Sequence, residues 1–321
     1  MEKSILPKWV AHADWSINRR KRWLAEANLV EGVYHLKAAR PLQHADYVLD
    51  SDDLLLGVDF PLGLPLAYAK AIGVASFRAF IESVRRGEHD SFFEVADSAE
   101  NISLARPFYP KRPGGTKQQH LLDGLGFANK RDLYRWCDRE TDKRRAGANI
   151  FWTMGANQIG KGMLAGWREL LLPNWDNITL WPFDGSLTEL AFGPNAKPVV
   201  AEAYPGEFYH HFGMFAQRGS KRSQAVRQHE GTKLLGWAER QRVTISAELQ
   251  TQITSGFGPK PDGEDPFDAV VGLFGMLNVV LNNQADIPKL PDFVYEVEGW
   301  VFGQTELPKQ SVRLHNNKVA E

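Results

Sequence analysis

Three apolar runs in this sequence end in a carboxylate followed at once by turn-forming residues: Asp14 before Trp-Ser, Asp59 before Phe-Pro, and Glu202 before Ala-Tyr-Pro. A buried ionised carboxylate is costly unless it meets a cation or a hydrogen-bond donor. Three of them ask for a shared compensating charge, which a divalent cation supplies. A further acidic pair, Asp265-Pro-Phe-Asp268, heads an apolar run. Residues three apart share a helix face, so both acids can point toward one sheet end. Asp265 is equally a good N-cap, with Pro266 at the first helical position and Asp268 where a capping-box acid sits. Carboxylates converging on Mg²⁺ or Mn²⁺ suit two-metal phosphodiester hydrolysis, with ions about 3.5–4 Å apart, one activating water and one stabilising the leaving oxygen. That chemistry needs neither a cysteine nor a histidine nucleophile. The adjacent His210 and His211 would point apart and lack the spacing of a zinc motif.

The elements that must position these acids follow from patterning. Residues 9–14, 22–28 and 32–37 predict three strands joined by hairpin-length loops, hence an antiparallel meander. Residues 42–49 predict a short helix. Residues 53–59, apolar on both faces, predict a fully buried central strand that stops at Pro61-Leu-Gly63-Leu-Pro65. Residues 198–204 predict a second buried strand, closed by Pro205-Gly206. Helical spacing marks residues 67–86, 164–172, 231–240 and, most apolar of all, 266–281. Trp300 and Phe302 read as a late strand or a docking segment. In α/β sheets functional groups gather outside the carboxyl ends of strands, where Asp14, Asp59 and Glu202 would lie.

With 321 residues and 43% hydrophobic content the chain can bury one large core or two, at about 100–200 residues per domain. One α/β core carrying a large, mostly helical insertion is the expected organisation: residues 1–65 and 198–305 as core, 66–197 as insertion, 306–321 as a tail. The single cysteine, Cys137, excludes an intramolecular disulfide and a cysteine-based zinc cluster, which suits a reducing, cytoplasmic setting. The first residues lack an apolar signal stretch, and no window approaches the ~20 apolar residues of a membrane span. Net charge is −1, but residues 111–145 hold ten Lys/Arg against five Asp/Glu, and residues 262–306 one Lys against nine Asp/Glu. A basic insertion beside an acidic C-terminal part could form a polyanion path to a cation site, or two solvated faces.

Five segments, Ala13-Asp14-Trp15-Ser16, Gly57-Val-Asp59-Phe-Pro-Leu-Gly63, Ala201-Glu202-Ala-Tyr-Pro205, Asp265-Pro-Phe-Asp268-Ala269 and Glu298-Gly-Trp300-Val-Phe302, resemble in order and spacing the motifs of a family of predicted RNase H-like nucleases known as a domain of unknown function. The Asp-x-x-Asp-Ala helix also resembles the last acidic motif of RuvC-type Holliday junction resolvases. The resemblance implies a five-stranded mixed sheet in the order 3-2-1-4-5 with strand 2 antiparallel, flanked by helices. It implies Asp14, Asp59, Glu202 and Asp268 as metal ligands and catalytic residues, with Asp265 a fifth ligand candidate. On this reading Asp14 bridges two Mg²⁺ or Mn²⁺ ions, Asp59 and Glu202 complete the shell, and Asp268 binds the second ion. The expected function is metal-dependent hydrolysis of nucleic acid, DNA or RNA. The segment Arg139-Glu140-Thr141-Asp142 with residues 149–166 also looks internal to the family, with Arg139, Arg144 and Arg145 as phosphate-gripping candidates and Lys161 beside them.

Other readings compete. Gly155-Ala-Asn-Gln-Ile-Gly160-Lys161-Gly162 matches the start of a P-loop, but Gly162 stands where a Mg²⁺-binding Ser or Thr belongs. Its glycines suit tight helix packing or a flexible lid. An actin-like ATPase shares strand-end acids, yet Trp15-Ser-Ile-Asn has no phosphate-turn glycine. A non-catalytic nucleic-acid binder or scaffold would use Arg106-Pro-Phe-Tyr-Pro-Lys-Arg112 to stack bases.

Overall fold

Strand parity sorts the apolar residues of this chain onto two faces of one sheet. The structure is a computed structural model and describes residues 6–42, 49, 51–110, 117–154, 158–216, 219–259 and 261–309. Strands β1 (Trp9–Asp14), β2 (Trp23–Val30), β3 (Val33–Leu36), β4 (Arg40–Pro41), β5 (Leu54–Val58), β6 (Thr179–Trp181), β7 (Val199–Glu202) and β8 (Val243–Ile245) form one mixed sheet. Its order is β6-β7-β5-β1-β2-β3-β8, with β4 also paired to β2. β2 is antiparallel to β1 and β3, whereas β1, β5, β7 and β6 run parallel. Glu31 and Gly32, both at positive φ, close the β2–β3 hairpin as a two-residue turn of the type that matches strand twist. The sheet therefore has eight strands where five were expected. β6 and β8 are three residues each, too short to show a period of two in the sequence.

Ala11, Ala13, Leu54, Leu56, Val58 and Val200 face one hydrophobic core; Val10, Ala25, Leu55, Val199 and Ala201 face the other. The first core is completed by α1 (Leu66–Ala71), α2 (Phe77–Arg85), α3 (Gln118–Leu125) and α4 (Ile159–Gly166). The second is completed by α5 (Pro205–His211), α6 (Gln224–Ala238), α7 (Ala247–Thr254) and α8 (Glu264–Val280). Residues 66–197, expected as an insertion, thus share a core with the sheet and also supply its edge strand β6.

Several elements differ from expectation for local reasons. The helix expected over 67–86 breaks into α1 and α2 at Gly73, which sits at φ +73°, and restarts at Ser76, whose hydroxyl accepts from Ala79 N–H. The helix expected over 164–172 is α4 running into a π-helical turn, Trp167–Leu171. α8 begins at Glu264, so Asp265 lies in its first turn and not at the N-cap. Trp300 and Phe302 are fully buried in a segment without strand structure, and Phe302 N–H donates to Glu202 O at 2.8 Å, a docking segment. The helix expected over 42–49 lies, apart from its two end residues, outside the described residues, as does the tail at 310–321. Among the described residues no helix is long and apolar enough to cross a membrane.

Small residues let α8 approach the strands closely enough for its first turn to reach their ends. A Cβ on Gly272 would fall 2.2 Å from the ring of His12, which is fully buried in β1 and bonds through Nε2 to Ala203 O at 2.9 Å. Overpacking a filled core of this kind costs about 1–3 kcal/mol. Gly272→Ala is therefore expected to lower stability by about that amount in urea unfolding. Wild-type stability would show that α8 can retreat without loss.

Candidate functional site

β1 and β5 are parallel neighbours, and their carboxyl ends carry Asp14 and Asp59 on the face covered by α8. Asp59 accepts a 2.6 Å hydrogen bond from Trp15 N–H, which ties the end of β5 to the turn after β1. The Asp14 carboxyl is close enough to share a hydrogen bond with that of Asp59. From the first turns of α8, Asp268 and Asp265 complete the group: their charges act on Asp14 together with that of Asp59. Asp14 is 8% exposed and Asp268 7%. Asp268 is held by Tyr209 O–H on one oxygen and by the Lys221 ammonium on the other. Its partners are therefore side chains, not the helix N–H groups that a capping role would require.

Electrostatics follow from burying so many acids with one ammonium. Burial first, and then the charges of Asp59, Asp268 and Asp265, push Asp14 well above the usual carboxylate range, opposed by Lys221. Burial raises Asp59 to about 7, against the Trp15 N–H bond that favours its ionised form. Half-buried Asp265 is raised by burial to about 6, with Lys21 opposing. Burial works against the charged form of Lys221, but Asp268, Asp14 and Glu264 hold it above its ordinary value. The metal-free cluster thus keeps protons on acids that are ionised in water.

Glu202 does not join this group. Val58 pairs in register with both Ala13 and Glu202, so Glu202 lies on the opposite face from Asp14 and Asp59. Both its oxygens are taken by the fully buried Arg135, at 2.6 and 2.7 Å, and Leu62 N–H donates to Oε2 at 2.8 Å. The expected ligand is instead half of a buried ion pair. Arg135 also binds Asp138 through two hydrogen bonds and Leu62 O at 2.9 Å. Close by, Glu298 accepts from Leu66 N–H and Trp136 N–H. These charges of the basic and acidic stretches pin loops together; residues 111–116 of the basic stretch lie outside the described residues.

A cleft of about 370 Å³ opens beside the acids, between the sheet end and the segment that carries α4. Asp59, Trp15, Ile17, Tyr204, Arg144 and Lys161 border it. Of the four cations expected to grip phosphate, Arg144 and Lys161 stand in its wall. Arg139 instead donates to the carbonyls of Arg131 and Tyr134, and Arg145 is exposed and does not line the cleft. Tyr204 borders the cleft and feels the charges of Lys221, Asp268, Arg144 and Asp59.

The P-loop reading finds no strand: residues 150–154 are turn and coil, and Gly155, Ala156 and Asn157 lie outside the described residues. Gly160 serves packing, since a Cβ there would meet Ile150 O at 2.6 Å. His211 bonds to Gly303 O at 3.1 Å, and burial lowers it to about 4. Lys221 and Tyr209, which hold Asp268, carried no spacing signal in the sequence. Tyr204 could have been flagged, as an aromatic two residues beyond a strand-end acid.

The donor set of Asp14, Asp59, Asp265 and Asp268 is all carboxylate oxygen, which suits a hard divalent cation such as Mg²⁺ or Mn²⁺. Burial and then the neighbouring carboxylates push Asp14 toward its protonated form, and such an ion would supply the positive charge that opposes both. Among the described residues no group of three or more His, Cys, Asp or Glu is placed to hold a metal ion. Comparisons with protein-family models, curated proteins and solved structures return no match.

Proposed function

We propose that this chain hydrolyses phosphodiester bonds of nucleic acid at a divalent-cation site formed by Asp14, Asp59 and Asp268, with Asp265 beside them. The observation that carries the reading is the gathering of these buried and half-buried carboxylates, from β1, the end of β5 and α8, beside the Lys221 ammonium. The run β3-β2-β1-β5-β7 within the sheet, with β2 antiparallel, supports an RNase H-like core extended by β6 and β8. When bound, Mg²⁺ or Mn²⁺ supplies Lewis-acid charge at the scissile phosphate. The chain's own groups set the rest. Trp15 N–H fixes Asp59, Tyr209 O–H and Lys221 fix Asp268, and the cleft with Lys161 and Arg144 lies on the phosphate's approach.

The test is cleavage of labelled single- and double-stranded DNA, RNA and hybrid substrates with Mn²⁺ or Mg²⁺, against the same reactions in EDTA. Metal-dependent cutting of at least one substrate is expected. A folded chain that cuts none of them with either ion would refute the reading.

Ion binding also has a pH signature. Protons compete with the ion, because Asp59 ionises only near pH 7 and Asp265 near pH 6. Raised carboxyl pKa values give the metal-free fold stability that is present below the unfolded pKa and lost as pH rises through the folded values. The rise in melting temperature on adding Mg²⁺ or Mn²⁺ is therefore expected to be small near pH 5 and to grow up to about pH 8. His12 and His211, both lowered to about 4 by burial, affect metal-free and metal-bound protein alike and cancel in that difference. A metal-induced shift that is flat with pH would place the ion elsewhere.

A further inference from the structure

We propose that the cleft beside the acids takes one unstacked nucleotide of a strand, its base on the Tyr204 ring and its phosphate against Lys161 and Arg144. The proposal rests on the hydrolase reading above and narrows its substrate to strands that are single or locally opened.

Among the described residues the exposed large hydrophobic side chains are Ile17, Val30, Tyr204 and Leu307, and two of the four border this one cleft. Ile17 is 60% exposed and Tyr204 48%. A half-exposed ring beside buried carboxylates gains little as packing, but it offers a face to a base. The ring edge lies against Gly206, where a Cβ would come within 2.4 Å of it. Trp15 borders the same cleft with the Arg22 guanidinium 4.3 Å above its ring, and its buried indole N–H has no hydrogen-bond partner among the described residues.

Of the two cations of the cleft, Arg144 is paired with a carboxylate and Lys161 is not. Lys161 donates to the Gln158 side-chain oxygen at 2.8 Å, and among the described residues no carboxylate lies within 4.0 Å of its ammonium. Arg144 donates to the carbonyls of Cys137 and Arg139 and forms a long ion pair with Glu207 at 3.8 Å. The cleft lining sets two cations, Arg144 and Lys161, and the Tyr204 ring beside Asp59 of the acid cluster and the Arg135-bound Asp138 and Glu202. The volume of about 370 Å³ sits at the lower end of the range for small-molecule sites, room for one base with its sugar and phosphate. A base pair held in a helical stack does not enter such a space, whereas an extruded or strand-end nucleotide does. Stacking on an aromatic face tolerates any base, so the cleft selects for strandedness before sequence.

Binding, not cleavage, tests this. Fluorescence anisotropy of the full chain, in Ca²⁺ and in EDTA, would compare a short labelled single strand, its blunt duplex, and that duplex with one unpaired nucleotide. A nucleoside monophosphate serves as competitor. The single strand and the interrupted duplex are expected to bind more tightly than the blunt duplex. Tyr204→Ala is expected to weaken them about 5- to 150-fold, with Tyr204→Phe near wild type. Lys161→Gln, a second variant at a half-exposed position, should weaken all strands and flatten the salt dependence. Equal binding of the blunt duplex, or a folded Tyr204→Ala chain that binds like wild type, would overturn the nucleotide cleft while leaving the hydrolase reading in place. A monophosphate that outcompetes the strand would show a site for free nucleotide instead. If no strand binds in either condition, this proposal and the hydrolase reading fall together.

Discussion

The Asp14→Asn chain is expected to melt at a higher temperature than the parent in the absence of divalent cation, and to lose at least about 10²- to 10³-fold of its metal-dependent cleavage. The two effects have one cause. Asp14 is buried against Asp59, Asp268 and Asp265, and at neutral pH its ionised form is opposed in the folded chain and not in the unfolded one. A neutral amide of the same shape removes that cost and can still donate to Asp59. It also removes the charge that would hold an ion. Thermal melts with and without Mn²⁺, beside a cleavage assay, read both effects. A variant that melts lower and cuts normally would make Asp14 a structural residue.

The largest loss of stability is expected at the ion pair that displaced Glu202 from the site. Arg135 has no exposed side-chain surface and Glu202 only 6%, so Arg135→Met leaves Glu202 buried with Leu62 N–H as its donor and also removes both bonds to Asp138. Removing one partner of a buried pair costs about 3–5 kcal/mol. Adding Glu202→Gln to Arg135→Met neutralises the more deeply buried of the two stranded carboxylates and is expected to recover part of that loss. Urea unfolding of the two single variants and the double variant measures this coupling. Additive losses would show that the pair does not act as a unit.

Asp14 and Asp59 were legible in the sequence because a carboxylate at the end of an apolar strand is anomalous by itself. Asp268 was legible from helical spacing, although its competing reading as a cap could be settled only by seeing Tyr209 and Lys221 on its oxygens. Glu202 carried the same local signal as Asp59 yet faces the other way. Its side is decided by the register of β7 against β5, and its partner Arg135 lies 67 residues away. Lys221 comes from the turn before α6 and meets Asp268 across 47 residues, a contact no periodicity announces. The central strands were legible from their apolar runs, whereas the edge strands β6 and β8 owe their structure to the neighbours they pair with.

The most direct test of a carboxylate cation site is Mn²⁺ titration followed by electron paramagnetic resonance of the free ion, on the wild-type and Asp14→Asn chains at pH 8. Wild-type protein is expected to remove Mn²⁺ from solution, and Asp14→Asn to leave it free at the same concentrations. Equal uptake by the two chains, or no uptake by the wild type, would contradict the assignment of Asp14, Asp59 and Asp268 as the cation's ligands.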